Sequence, residues 1–241
     1  MTWHIIEASD GCAYAKEHDC VAVIVDALRA SATAAMLLDA GATEILVVAE
    51  VEEAFKLKES HPDALLYGER GGLPPEGFDH GNSPRETKAA KGRPVIFTTS
   101  NGSARLHEAY GAPALYLAST VNALATIGEI SGQDRDVVLI PAGKVDDPEY
   151  DAQEDWVAAT AIAMLADAPI AEGALLYRDW RYRIELDGVQ KLFQTAPHAQ
   201  ELRKLGLEDD ISFCARSNIT TALPHAVSRD DSAIILVNSC K

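Results

Sequence analysis

The chain has 241 residues, of which 47% are apolar, and carries a formal net charge of −16. This apolar content is enough to build the full core of one large α/β domain. The negative charge argues against nucleic acid as a partner, because the phosphate backbone would be repelled, and no apolar run approaches the length of a membrane span.

Short apolar runs alternate with helix-length segments along the chain. Strands are predicted at residues 21–25, 45–48, 64–67, 94–97, 114–118, 137–140, 174–177 and 233–237. Helices are predicted at residues 31–40, 51–60, 103–109, 121–130, 152–167 and 198–205. The run YRDWRYRIE reads as an exposed strand. The alternation predicts a single α/β unit over residues 1–241, with α/β/α layers and a largely parallel or mixed sheet.

Residues 21–60 and 94–130 follow one plan, which indicates a weak internal repeat and two similar halves. Each copy has a strand, a polar turn with Ser31 or Ser103, a helix, a Gly-Ala pair and a second strand. Unrelated strand–helix–strand units would also look alike, so duplication and coincidence both stay open. A true repeat would place the two polar turns at equivalent strand ends, where α/β sheets usually bind ligands.

Residues 68–86 break this rhythm with GERGGLPPEGFDHGNSPRE, which contains five glycines, three prolines and no apolar run. So long a loop inside a compact domain is usually functional or disordered. Its mixed composition, with Phe78 and His80 among charged residues, favours a binding loop over disorder.

Two polar turns could bind an anion. In VIVDALRAS, Asp26 follows a strand, Arg29 follows it closely, and Ser31 stands where the next helix begins. A helix N-terminus and an arginine suit a phosphate, and an aspartate suits magnesium or nucleophilic attack. The alternative is a plain N-cap beside a local ion pair. The turn TTSNGS at 98–103 is either an anion-binding nest or an ordinary capped turn.

Several carboxylates form a pool of candidate magnesium ligands, since Mg²⁺ prefers a few carboxylates with waters and substrate oxygens. The pool consists of Asp26, Glu69, Asp79, Glu154 and Asp155. Glu154 and Asp155 begin a predicted helix, where the helix dipole favours acidic residues in any case. Most histidines, His198 among them, stand isolated and are interpreted as surface or packing residues.

The scattered cysteines, Cys12, Cys20, Cys214 and Cys240, form no CxxC pair and are predicted to be reduced thiols. The N-terminal residues lack the basic and long apolar regions of a signal peptide. We therefore expect a cytoplasmic protein. The motifs of esterases, zinc proteases and dinucleotide enzymes, GxSxG, HExxH and GxGxxG, do not occur.

Seven features occur in one order along the chain: DALRAS, GERGG, GFDHGNSP, TTSNGS, STVNA, a strand ending in AG, and ED at a helix start. Together they resemble the pattern of the 2-phosphosulfolactate phosphatases of coenzyme M biosynthesis. The resemblance spans residues 20–160 and continues to LRKLGLEDDISFCA at 202–215. It implies magnesium-dependent hydrolysis of 2-phospho-3-sulfolactate to 3-sulfolactate and phosphate on an α/β fold.

Site residues follow from the matched motifs. The expected catalytic residues are Asp26, Arg29, Glu69 and Arg70. The expected substrate-binding residues are Ser31, Asn82, Ser83, Ser100, Asn101, Gly102 and Ser103. The expected Mg²⁺ ligands are Asp26, Asp79, Glu154 and Asp155.

Two other functions stay open at this point. One is a phosphatase for a different small phosphorylated hydroxy acid, and the other is a non-catalytic protein that binds such an acid. The attacking group is either water or the Asp26 carboxylate. We expect a small anionic phosphorylated substrate as partner, with neither nucleic acid nor membrane, and a homodimer as the preferred assembly.

Overall fold

The computed structural model describes residues 1–147 and 149–239. Within these residues the chain forms a mixed sheet, surrounded by helices. The strands are β1 (Trp3–Ile5), β2 (Val21–Val25), β3 (Ile45–Val47), β4 (Leu65–Gly68), β5 (Val95–Thr98), β6 (Leu115–Leu117), β7 (Val137–Pro141), β8 (Pro224–Asp230) and β9 (Ala233–Asn238). The helices are α1 (Ala8–Glu17), α2 (Ala30–Asp39), α3 (Val51–Ser60), α4 (Gly102–Ala109), α5 (Ala123–Ile130), α6 (Gln153–Ala166), α7 (Ala174–Asp187), α8 (Val189–Thr195), α9 (Pro197–Lys204) and α10 (Glu208–Cys214).

The sheet contains two sets of parallel strands, in the order β1-β7-β2-β6-β8-β9-β3-β5-β4. The first set is β1, β7, β2 and β6, and the second is β3, β5 and β4. The β8–β9 hairpin lies between them and pairs antiparallel with β6 on one side and with β3 on the other. Because three successive pairings are antiparallel, the two sets run in opposite directions.

The strand pairing follows the predicted repeat. The first copy, residues 21–60, contains β2 and β3, and the second copy, residues 94–130, contains β5 and β6. The first strand of each copy pairs with the second strand of the other copy: β2 pairs with β6, and β5 pairs with β3. The strands that follow the two copies, β4 and β7, show the same exchange. β7 follows the second copy and pairs with β2 of the first, and β4 follows the first copy and pairs with β5 of the second. A two-fold rotation that interchanges the two halves would produce this pattern of strand pairing. It supports the repeat hypothesis, which stays a prediction.

Strand side chains alternate between two helical layers, as the two-residue period of a strand requires. Val21, Val23 and Val25 join a core cluster that includes residues of α5 and α6. Ala22 and Ile24 join the cluster that includes residues of α1 and α4. The layered α/β fold with a mixed sheet is therefore confirmed.

The predicted strand at 174–177 and the exposed strand predicted for YRDWRYRIE were wrong, because both lie in α7. Arg181 and Arg183 suggested one face of a strand, but Arg181 instead pairs with Glu185 one helical turn later, at 2.9 Å. The other predicted strands are confirmed. The prediction missed β1, β8, α1, α8 and α10, none of which shows a long periodic apolar pattern.

Cys12, Cys20 and Cys214 are buried free thiols, in agreement with the prediction of reduced cysteines. Cys240 lies outside the described residues. Across the described ranges, every helix is too short or too polar to cross a membrane.

Candidate active site

The polar turns after β2 and β5 lie against each other, although the two strands belong to opposite sets. Gly102 begins α4 and packs on the β2 turn. A Cβ added at Gly102 would lie 2.8 Å from Asp26 Oδ2 and 2.7 Å from Ala30 Cβ. Because real Cβ atoms do not approach so closely, only glycine lets α4 begin beside Asp26. The two halves of the sheet therefore share one polar site.

Asp26 connects the starts of α2 and α4. Its Oδ1 accepts a hydrogen bond from the Ala30 N–H at 3.1 Å, and its carboxylate also accepts one from the Gly102 N–H. The Asp26 N–H in turn donates to Ser31 Oγ at 3.0 Å. Burial raises the pKa of Asp26 from 3.8 to about 6, and the two backbone donors only partly offset this effect.

Glu154 and Asp155 begin α6 and face an inner cavity of about 40 Å³, which is also bordered by Asp26, Asn101 and His198. Burial raises the pKa of Glu154 to about 8, and repulsion from Asp26 adds to the shift. Burial also raises the pKa of Asp155, with repulsion from both neighbouring carboxylates. A bound cation would relieve this repulsion, so the inner cavity favours positive charge.

The two α6 carboxylates differ in their hydrogen bonding. Asp155 Oδ1 accepts from the Ala27 N–H at 2.8 Å and Oδ2 from the Gly143 N–H at 3.2 Å, which ties the β2 turn to the β7 turn. Glu154 Oε1 lies 3.5 Å from His198 Nδ1, and its Oε2 has no hydrogen-bond partner. Burial lowers the pKa of His198 and raises the pKa of Glu154, so burial disfavours the charged form of both partners in this contact.

Two further cavities adjoin the inner one. A side cavity of about 10 Å³ is bordered by Asp26, Arg29, Glu69 and Asn82. An outer cavity of about 260 Å³ is bordered by Glu69, Ser100 and Leu205. Residues common to the inner and outer cavities are Asn101, Lys144, His198 and Glu201. The inner cavity has room for about three water-sized groups, so a larger ligand would extend into the outer cavity.

Three buried polar atoms at these cavities have no hydrogen-bond partner: Asn82 Oδ1, Tyr150 OH and Glu154 Oε2. In the described part of the chain, the only other such side-chain atom is Thr160 Oγ1, which borders none of the three cavities. Buried polar side-chain atoms are normally hydrogen-bonded. Their concentration here indicates that the site binds a polar ligand.

No group of three or more His, Cys, Asp or Glu side chains in the described residues is arranged to hold a metal ion. Mg²⁺ does not require such a group, because it often binds one or two carboxylates and completes its shell with waters and phosphate oxygens. Asp26 and Glu154 offer carboxyl oxygens at the inner cavity, and Glu154 Oε2 is unpaired. The residues present therefore fit a magnesium ion.

Arg29 is buried at the side cavity and its guanidinium is already bonded. Its Nη1 lies 2.6 Å from Asp210 Oδ2, and its Nη2 donates to the Gly72 carbonyl at 2.8 Å. Ser83 Oγ donates to the other Asp210 oxygen at 2.7 Å. Arg29 thus adds positive charge near Asp26 while it holds the 68–86 loop to α10. Ser83, expected to bind substrate, instead positions Asp210.

Glu69 joins two loops with its carboxylate. Its Oε1 accepts from the Ser100 N–H and its Oε2 from the Gly72 N–H, both at 2.8 Å. Asn101 Oδ1 accepts from the Val145 N–H at 3.0 Å. These contacts bring the turn after β5, the 68–86 loop and the segment after β7 to the cavities, where the binding-loop hypothesis expects a ligand.

Arg70 and Asp79 lie away from the other predicted site residues. The Arg70 guanidinium donates to the carbonyls of Glu69 and Ala49 and to Thr98 Oγ1, at 2.7, 2.8 and 2.9 Å. Asp79 is exposed and accepts from the Leu66 N–H at 2.8 Å, on the edge strand β4. Neither side chain borders the three cavities, so Arg70 supports the loop and Asp79 protects a sheet edge.

The serines expected to bind substrate at the two turns are buried caps. Ser31 Oγ accepts from the Asp26 N–H and donates to the Ile24 carbonyl at 3.2 Å. Ser103 Oγ accepts from the Thr99 N–H at 2.8 Å. Both hydroxyls are hydrogen-bonded inside the fold, and their expected role in substrate binding stays a prediction.

The structure adds five residues that the sequence did not single out: Lys144, Tyr150, His198, Glu201 and Asp210. The isolated His198, interpreted as a packing residue, borders all three cavities. Asp210 lies inside the matched segment LRKLGLEDDISFCA, and this match is the feature of the sequence that could have identified it. Lys144 directly follows the strand end in AG, but no motif marked it.

A model of the 2-phosphosulpholactate phosphatase family matches residues 8–229, which contain the whole candidate site. The chain belongs to this family. A probable 2-phosphosulfolactate phosphatase of Carboxydothermus hydrogenoformans is 34% identical over 221 residues, which cover 90% of both chains. Proteins with the same description from Symbiobacterium thermophilum and Deinococcus radiodurans are 36% and 35% identical, over 85% and 88% of this chain and 90% and 89% of theirs.

Membership in the 2-phosphosulpholactate phosphatase family confirms the resemblance carried by the motifs. The family name describes a phosphoric monoester hydrolase. Asp26, Glu154 and Asp155 all lie inside the matched range and meet at the inner cavity, although Asp26 is more than a hundred positions from the other two in the chain. The cavities between the two halves are therefore the candidate active site of this family member.

Proposed function

We propose that this protein is a magnesium-dependent phosphatase that hydrolyses 2-phospho-3-sulfolactate to 3-sulfolactate and phosphate. The observation that carries the proposal is the set of three unpaired buried polar atoms, on Asn82, Tyr150 and Glu154, at one acidic site. The relatives supply the substrate class, since they are described as probable 2-phosphosulfolactate phosphatases.

Charge balance motivates the metal. The substrate carries about four negative charges, from a phosphate, a carboxylate and a sulfonate, and would meet three buried carboxyl groups in the inner cavity. Asp26 and Glu154 would hold Mg²⁺. When bound, Mg²⁺ supplies the positive charge that neutralises phosphate oxygens in phosphoryl transfer.

The protein's own groups position the reactants. Asp155 fixes the turns after β2 and β7 through the Ala27 and Gly143 N–H groups. The buried Arg29 lowers the local negative potential without leaving Asp210. The small inner cavity limits the water that reaches the phosphate, which strengthens these electrostatic interactions.

The reaction is tested by phosphate release from 2-phosphosulfolactate and a panel of small phospho-acids, with Mg²⁺ and with a chelator. We expect release that needs Mg²⁺ and is fastest for 2-phosphosulfolactate. A faster reaction with another phospho-acid would replace the substrate. Tight binding of these esters without any phosphate release would replace the enzyme with a binding protein.

Asp26→Asn tests the proposed role of Asp26 as a metal ligand, with the exposed Asp63→Asn as matched control. We expect Asp26→Asn to weaken Mg²⁺ binding and to regain part of its activity at high Mg²⁺. Activity lost at every Mg²⁺ concentration, with Mg²⁺ binding intact, would instead make Asp26 the nucleophile. In that case an aspartyl phosphate would form on Asp26 during turnover of the unmodified enzyme, and borohydride reduction of the quenched reaction would trap it.

A further inference from the structure

Lys144 and Tyr150 lie on the segment that joins β7 to α6. Lys144 borders both the inner and the outer cavity, and Tyr150 borders the inner one. Lys144 follows Gly143, whose φ of +62° turns the chain after the strand. The Lys144 Nζ lies 4.7 Å from the centroid of the Tyr150 ring. This cation–π contact keeps the ammonium group over the Tyr150 ring.

Both groups are available for a ligand. Within residues 1–147 and 149–239, Lys144 makes no ion pair, and the buried Tyr150 hydroxyl has no hydrogen-bond partner. The other cations nearby are already bonded, Arg29 to Asp210 and Arg105 to Glu108. Lys144 is therefore the cation at these cavities that can accept an anionic partner without breaking an existing ion pair.

The size of the cavities decides which part of a ligand meets Lys144. A phosphate bound near Asp26 and Glu154 would fill the inner cavity of about 40 Å³. The rest of the ester would then extend into the outer cavity of about 260 Å³, which Lys144 also borders. An acidic group on that part would otherwise face Glu69 and Glu201, so it needs a cationic partner there.

We propose that Lys144 Nζ binds the acidic group that the substrate carries in addition to its phosphate, and so selects phosphate esters of sulfonated or carboxylated alcohols. The proposal rests on the proposed function, because it places the phosphate in the inner cavity. The recognised group is an oxyanion that accepts charge-assisted hydrogen bonds from an ammonium group, as both sulfonates and carboxylates do.

Three esters separate the two acidic groups: 2-phosphosulfolactate, 2-phospholactate, which lacks the sulfonate, and 2-(phosphooxy)ethanesulfonate, which lacks the carboxylate. Lys144→Met should raise the KM for 2-phosphosulfolactate about ten- to a hundredfold, with kcat changed less than about threefold. Its KM for the ester without the recognised group should stay near that of the unmodified enzyme. Tyr150→Ala, which removes the ring that Lys144 contacts, should show the same selectivity with a smaller effect, and the exposed Lys88→Met should change none of these values.

Equal losses on all three esters, or unchanged KM values, would overturn the proposal. If none of the esters releases phosphate, the proposed reaction fails, and calorimetric binding of 3-sulfolactate and lactate then decides the Lys144 proposal alone. Tighter binding of either acid to the unmodified protein than to Lys144→Met would support it. Equal binding to both proteins, or no binding to either, would overturn it.

Discussion

Glu154→Gln separates a metal ligand from a structural residue. Glutamine keeps the shape of the side chain but cannot ionise. Glu154 is buried, and its pKa is raised from 4.5 to about 8 by burial first and by repulsion from Asp26. A carboxyl group with a raised pKa stabilises the fold below its unfolded pKa, and this contribution is lost as the pH rises through its folded pKa.

The shift sets the size of the effect. Between pH 4 and pH 8, keeping Glu154 buried should reduce the stability of the metal-free protein by roughly 4 kcal/mol. Glutamine at this position avoids that loss. Metal-free Glu154→Gln should therefore match the unmodified protein near pH 4 and melt roughly 10 °C higher at pH 8.

Addition of Mg²⁺ should narrow this difference. A ligand at a hundred times its Kd stabilises the folded state by about 2.7 kcal/mol. We expect Mg²⁺ to raise the melting temperature of the unmodified protein at pH 8 and to leave Glu154→Gln nearly unchanged. Thermal unfolding at pH 4 and pH 8, with Mg²⁺ and with a chelator, measures the effect of pH and the effect of Mg²⁺ on the stability of each protein.

The exposed Glu59→Gln provides the matched control and should stay within about 0.5 kcal/mol of the unmodified protein under all four conditions. Destabilisation of metal-free Glu154→Gln at both pH values would refute the reasoning, because it would mean that the fold needs the carboxyl group. Equal stabilisation of both proteins by Mg²⁺ would remove Glu154 from the metal site.

Three further substitutions test the surrounding structure. Arg70→Ala should lower thermal stability by about 2 kcal/mol, because the carbonyls it serves lose a donor, while kcat/KM of the folded protein stays within about threefold; lost activity at normal stability would contradict this. Gly102→Ala should impair activity and stability, whereas Gly128→Ala, whose added Cβ meets nothing within 4 Å, should be tolerated; equal tolerance of both would refute the close approach of α4. Asp210→Asn should cost about 3–5 kcal/mol in chemical denaturation, since its buried arginine partner is left unpaired, against less than about 1 kcal/mol for the exposed Asp209→Asn; equal effects would refute the buried pair.

The sequence predicted the sheet well where strands are buried on both faces. The runs at β2 and β7 are apolar throughout, and the structure buries every residue of both. The sequence did not predict β1, because three residues are too few to show an alternating pattern. It did not predict β8, because most side chains of that strand are at least partly exposed. Such edge and hairpin strands are specified by their partners rather than by their own pattern.

The motifs in the sequence named candidate site residues, but they did not distinguish those that border the cavities from those that do not. Glu69 and Arg70 stand together in GERGG, and both were expected to be catalytic. In the structure the Glu69 carboxylate bonds to Gly72 and Ser100 beside the cavities, while the Arg70 guanidinium bonds to Ala49 away from them. Extended backbone sends neighbouring side chains in opposite directions, and the motif alone does not say which one faces the site.

Residues contributed by distant helices could not be predicted in this way. His198 lies on α9 and meets Glu154 across the inner cavity, although no local pattern distinguishes it from a surface histidine. Lys144 and Tyr150 lie in a segment rich in acidic residues. Their importance comes from the unpaired hydroxyl and the unpaired ammonium group, which only the three-dimensional contacts reveal.

The two turns that meet at the site share one architecture but differ in chemistry. The Asp26 N–H donates to Ser31 Oγ after β2, and the Thr99 N–H donates to Ser103 Oγ after β5. Each turn also caps its helix with the side chain at the same place, an aspartate in the first and a threonine in the second. Because only the first turn carries an acid, and the acids of α6 lie beside it, the charge is concentrated on one side of an otherwise similar pair. The fold brings the two turns together, and only the turn after β2 offers a carboxylate to the proposed Mg²⁺ ion.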